Sequence, residues 1–174
     1  MMSKAVLIGI RPRWCEKIAS GEKTIEVRKT RPKLETPFKC YIYETGGFVE
    51  KDDTMTFMLG GAVIGEFMCD AIYRVNICGF WGDSGKQLDN RLKETCLTSE
   101  KLCNYLGEKV GYGWHISGLK MYDAPRELGE LRRVCPNDLY CDSCAMHWEN
   151  NGTCGNESLR LKRPPQSWCY VEEM

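Results

Sequence analysis

The chain has 174 residues, 24 of them Lys or Arg and 24 Asp or Glu, so its formal net charge is zero. That length supports one domain with a real core. No apolar stretch approaches 18 residues, which excludes a transmembrane helix. Neutrality argues against tight non-specific DNA binding, which needs many Lys and Arg contacts that release counterions.

In chain order, the first predicted element is a strand at about 5–10, Ala-Val-Leu-Ile-Gly-Ile. This apolar run is too short for a signal-peptide core and leads into Arg11-Pro12-Arg13, so a cytoplasmic location is expected. A helix follows at about 13–20, with Gly21 as its stop signal. A second strand spans about 24–29. Side chains alternate along a strand, so Thr24, Glu26 and Arg28 share one face and Ile25 and Val27 the other, with Lys23 at the adjoining turn. This polar row is a candidate binding site. A solvated edge strand with a salt bridge accounts for the same pattern. Residues 1–40 carry ten Lys or Arg against four Glu, a local excess of six positive charges that suits a phosphate ligand.

A proline-bounded loop (30–37) precedes a third strand at about 38–44. Residues 45–56 read as polar and turn-like, with Gly46-Gly47 as a hairpin turn or bulge. A long β stretch covers about 60–75, and 76–95 reads as irregular. Thr98 or Ser99 caps a helix reaching about Leu106. A strand at about 112–122 sets Trp114 and Ile116 against His115 on the other face. Residues 124–131 read as a linker or a single helical turn, and Trp168–Val171 as a last strand. Several short strands with few helices fit a small barrel with inserted helices.

The string VLIGIRPRWCEKIASGEKTIEVRK resembles the start of ASCH domains, a branch of the PUA-like β-barrel superfamily. The order strand, Ile-Arg-Pro-x-Trp, helix, Gly-x-Lys-Thr-x-Glu-x-Arg carries the resemblance. FKCYIYET (38–45), GGAVIGEFMCDAIYRV (60–75) and GYGWHISGLKMYD (111–123) extend it over about residues 4–123. The ending RPPQSWCYV (163–171) is similar to phage- and bacterium-type members. The resemblance implies an α+β, mainly β, PUA-like barrel whose cleft is lined by the strand after Gly-x-Lys-Thr. It also implies that the segment around Trp114 and His115 borders that cleft. Some bacterial ASCH proteins remove the acetyl group from N4-acetylcytidine, using the pattern Gly-x-Lys-Thr-x-Thr-x-Arg. Here Lys23 falls on the Lys and Arg28 on the Arg, but Glu26 replaces the nucleophilic Thr. Glu26 is able to act as a base on water or simply to pair with a neighbouring cation. Thr24 substitutes as nucleophile only if its side chain reaches the cleft.

Eleven cysteines are unusual for a cytosolic chain. Cys15, Cys40, Cys69, Cys78, Cys96 and Cys103 lie in apolar runs and read as small hydrophobes. Cys135, Cys141, Cys144 and Cys154 cluster around one Cys-x2-Cys pair, a spacing that suits a structural zinc. His147 or Cys169 is an alternative ligand. A redox pair or plain surface thiols fit the same residues.

The expectation is thus a barrel over residues 1–124, a zinc-stapled cysteine-rich insertion over 125–160, and a C-terminal segment, 161–174, returning to the barrel. The expected function is binding of RNA or of a modified nucleoside or nucleotide through Arg11, Lys23, Thr24, Glu26, Arg28, Trp114 and His115. One alternative is an amidohydrolase on N4-acylated cytidine, with Lys23 and Glu26 catalytic. Another is a protein-interaction module that docks through the cysteine-rich loop. No membrane partner is expected.

Overall fold

A computed structural model describes residues 3–51, 54–58, 60–76, 79–136, 144–150 and 154–174. Strand β1 (Lys4–Ile10) leads to helix α1 (Pro12–Ala19), then β2 (Ile25–Arg28) and β3 (Phe38–Glu44). A hairpin, β4 (Gly47–Lys51) and β5 (Thr54–Met58), precedes the long β6 (Ala62–Asn76) and the short β7 (Gly79–Phe80). Helices α2 (Gly85–Thr95) and α3 (Ser99–Leu106) connect to β8 (Gly111–Glu127). After α4 (Ala145–Glu149), β9 (Trp168–Glu172) ends the series. Among the described residues no helix is long and apolar enough to cross a membrane.

The fold is α+β, built on a seven-stranded mixed sheet in the order β2-β8-β6-β3-β1-β9, with β7 paired to β6. β1 runs parallel to β3 and antiparallel to β9. Ala5, Val6, Leu7 and Ile8 are all fully buried because β1 has apolar cover on both faces. Val6 and Ile8 join Cys15, Ile18, Cys40, Phe67 and Trp114 in one core. Ala5 and Leu7 face Tyr41, Val63, Leu131 and Leu161 in a second. The face of β2 carrying Ile25 and Val27 packs with Phe80, Leu102 and Leu106 in a third, which seats α3 behind the polar row. A Cβ at Gly113 would lie 2.8 Å from Phe80 Cε1 and 2.9 Å from Ile25 Cγ2, so this core requires glycine there.

The expected closed barrel is corrected. Among the described residues no ladder joins β2 to β9, and the sheet is an open path. β2 has only four residues, and Pro164 and Pro165, just before β9, have no N–H to extend a ladder. Side chains span the seam instead. Arg28 Nη2 donates to Gly9 O at 2.6 Å, and Trp168 Nε1 donates to Thr30 Oγ1 at 3.0 Å.

Three other expectations change. Residues 85–95, read as irregular, form α2. Leu88 and Leu92 supply its apolar stripe, and it ends on Cys96 in the left-handed region (φ 55°), without the glycine that usually marks a stop. The turn-like stretch after Thr45 is the β4–β5 hairpin. Of 124–131, read as a linker or a single helical turn, the first part belongs to β8, which reaches Glu127, and Leu128–Glu130 form a helical turn. The register shifts between Val63 and Gly65, which leaves Pro125 in a bulge where its missing N–H costs no ladder bond.

Candidate nucleotide-binding cavity

Gly21 adopts φ +79° after α1, and this stop turns Lys23 back toward the start of β2. Lys23 is 2% exposed, Glu26 6% and Arg28 8%, so the polar row is buried rather than solvated. Glu26 sits between the two cations. Its Oε2 lies 3.2 Å from Lys23 Nζ, and its Oε1 lies 3.0 Å from Arg28 Nη2. Lys23 Nζ also donates to Ile25 O at 2.9 Å and to Thr95 O at 2.7 Å. All three ammonium protons therefore have acceptors. One of these is at the carbonyl end of α2, where the helix dipole favours a cation.

Arg28 is less fully used. Beyond Gly9 O and Glu26, Nη1 makes only a 3.4 Å contact to Ser167 Oγ, and Nε is buried without a hydrogen-bond partner. The row divides by chemistry: Lys23 fixes Glu26 and α2, and Arg28 keeps hydrogen-bonding capacity beside an open space.

That space is a cavity of about 810 Å³. Six cations line it: Arg11, Arg13, Lys23, Arg28, Lys29 and Lys101. Glu26 is the only carboxylate among the lining residues. Trp14 and Tyr105 add aromatic surface, and Gln166 and Ser167 close the far rim. Arg13 lies 4.2 Å and Lys23 5.1 Å from the Trp14 ring centre, so that ring already has two cations. Tyr105 is exposed, with Lys29 Nζ 5.1 Å from its ring centre, and burial of its hydroxyl end raises its pKa above the ordinary phenol value.

The structure thus brings together Arg11, Lys23, Glu26 and Arg28 from the expected set. Thr24 is absent from the lining, and its backbone is engaged with Glu94 and Ile116. Trp114 is fully buried, packed edge-on against Phe38 at 5.9 Å and tilted against Trp168 at 6.0 Å, and does not line the cavity. His115 projects elsewhere: its Nδ1–H donates to Asp70 Oδ1 at 2.6 Å, and this bond holds the Asp70 carboxyl below the usual range. Sequence reasoning missed Lys101, Tyr105, Gln166 and Ser167. Lys101 and Tyr105 are four apart on α3, flanking the Leu102–Leu106 face, and that spacing was the available signal.

In the tail, Cys135 and Cys144 are half-buried and Cys154 is buried. Cys141 lies outside the described residues. Among the described residues no three His, Cys, Asp or Glu side chains are grouped as metal ligands are. His147 Nδ1 is buried without a partner.

The sheet order, the buried polar row and the cation-lined cavity together define a small α+β domain. The chain is similar to the ASCH protein of Zymomonas mobilis (TM-score 0.52, 18% identity, covering 97% of this chain and 88% of that one). It is also similar to two single-substitution variants of that protein, with TM-scores of 0.56 and 0.51, both at 17% identity. These cover 97% of this chain and 89% and 91% of theirs. The protein therefore has the ASCH fold. No family model matches the chain, and no curated protein matches it.

Proposed function

We propose that the cavity binds a nucleotide, either free or within single-stranded RNA. One observation carries this reading: six cations and a single buried carboxylate surround a space of about 810 Å³. A phosphate suits the exposed Arg11, Lys29 and Lys101, and Arg28 offers a planar fork to a phosphate or a base carbonyl. Glu26 retains lone pairs for an exocyclic amine. Tyr105 supplies a ring for base stacking. Hydrolysis of an acylated cytidine draws less support, because Lys23 is spent on Glu26 and on two backbone carbonyls.

The test is a titration of cytidine, cytidine monophosphate and a short single-stranded RNA against the wild type, Arg28→Ala and Lys101→Ala. The reading expects the phosphate-bearing ligands to bind more tightly than the nucleoside, and both variants to weaken them. Equal, negligible binding of all ligands by all three proteins removes it.

A second reading, docking of a protein through the cysteine-rich tail, rests on α4, where Met146 is 50% and Trp148 70% exposed. It takes first place if the nucleotide titration fails.

A further inference from the structure

We infer that a second surface continues from the cavity and carries a single strand of RNA across the sheet. Arg28 on β2 is in register with Tyr112 on β8, and Tyr112 is in register with Arg74 on β6. The next residue along this line is Trp81, whose backbone N–H donates to Arg74 O at 2.8 Å as a continuation of the β6–β7 ladder. Residues in register across neighbouring strands point to the same face. The sheet therefore presents Arg28, Tyr112, Arg74 and Trp81 as one transverse row in which cation and aromatic alternate.

The spacing suits a nucleic acid. Three strand-to-strand steps of 4.7–4.9 Å make a row of about 14 Å. Stacked nucleotides of one strand rise about 3.4 Å each, so the row matches roughly three or four. Both rings are paired with guanidinium groups: the Arg31 carbon lies 5.9 Å from the Tyr112 ring centre, and the Arg74 carbon 5.0 Å from that of Trp81. Trp81 is 67% exposed, an unusual placement for the largest apolar side chain. Asp70, four residues before Arg74, is committed to His115 at 2.6 Å, and Asp83, two residues after Trp81, to Arg91 at 3.3 Å, so neither cancels Arg74. A ring held open beside a planar cation is how proteins stack bases without reading their sequence. Arg28 belongs to both the cavity and the row, so a strand with one nucleotide in the cavity leads directly onto it.

This inference rests on the nucleotide reading of the cavity, and the experiment separates the two. Fluorescence anisotropy compares a labelled mononucleotide, a single-stranded RNA hexamer and an RNA duplex on wild type, Trp81→Ala, Trp81→Phe and Arg74→Ala. The wild type is expected to bind the hexamer more tightly than the mononucleotide or the duplex. Trp81→Ala weakens the hexamer about tenfold and leaves the mononucleotide within about twofold, while Trp81→Phe keeps most of the affinity because it keeps a stacking ring. Arg74→Ala lowers the slope of log affinity against log salt by about one. If Trp81→Ala binds the hexamer as tightly as wild type does, the row is refuted and the cavity stands. If wild type fails to bind the hexamer, the row is refuted, and if it fails to bind the mononucleotide as well, so is the cavity. Hexamer binding that depends on Trp81 without any mononucleotide binding supports the row and refutes the cavity. Equal affinity for hexamer and duplex overturns single-strand recognition.

Discussion

Replacing Glu26 tests the central claim that the polar row is a buried, mutually satisfied cluster. In Glu26→Ala, Lys23 loses its 3.2 Å partner and Arg28 its 3.0 Å partner, while both remain buried. A hydrogen bond to a charged group contributes about 1.5–3 kcal/mol, so two such losses come to about 3–6 kcal/mol. The carbonyls of Ile25, Thr95 and Gly9 still hold the two cations, which places the expectation in the lower half of that range. That agrees with the usual cost of about 3–5 kcal/mol for removing one partner of a buried ion pair. Glu26→Gln keeps one acceptor oxygen and turns an NH2 toward the other cation, so it should cost about 2 kcal/mol. Urea titration followed by far-UV circular dichroism reads both values, with an unchanged m-value showing that the unfolded state is comparable. If Glu26→Ala costs less than about 0.5 kcal/mol at constant m, the row is solvated in solution and the argument for Lys23 as a structural clamp collapses.

Four further outcomes are expected. Arg28→Ala should weaken nucleotide binding by about 1–3 kcal/mol, against no change for the exposed Lys162→Ala, measured by calorimetric titration. In alkylation at pH 8, exposed Cys103 should react quickly; Cys40 and Cys69 should be protected, since burial raises both thiols, Cys69 to about 12, and rapid native-state labelling of either would contradict the core assignment. The Asp70 carboxyl is lowered by His115, so its contribution is complete above the ordinary Asp value of about 3.9 and is lost as pH falls through the lower folded value. Asp70→Asn should therefore flatten the acid side of the Tm–pH curve, and parallel wild-type and variant curves would count against the His115 bond. We propose one zinc per chain in the tail, held mainly by Cys135, Cys141, Cys144 and Cys154; elemental analysis of the purified protein tests it, and Cys144→Ser should release the metal while leaving the sheet folded.

Much of the fold was legible where the chain carries a strong local signal. The unbroken apolar run of β1, the Gly21 stop after α1 and the bounds of β3 each match the observed element closely. α2 was hidden because its apolar face consists of little more than Leu88 and Leu92 and its C-terminus lacks a glycine. Ser84 and Gln87 do have capping-box spacing, a weak start signal. The open seam was illegible, because strand periodicity says which face a residue takes but not whether the first and last strands meet. At the site, alternation correctly put Glu26 and Arg28 on one face. It gave no warning that Lys23 would be fully bonded by Glu26, the Ile25 carbonyl and the Thr95 carbonyl far along the chain. Trp114 illustrates the opposite error: a ring on the same face as Glu26 proved to be core, since register fixes a direction but not a depth.

The far rim of the cavity has a consequence for when the site comes into being. All six lining cations precede β8 in the chain, but Gln166 and Ser167 are brought to the rim by the pairing of β9 with β1. During synthesis the charge is made early and its enclosure last. A polypeptide elongated only through α3 carries the full set of cations with no opposite rim and no Ser167 for Arg28 to reach. The enclosed cavity is therefore a property of the finished sheet, absent until β9 has paired with β1.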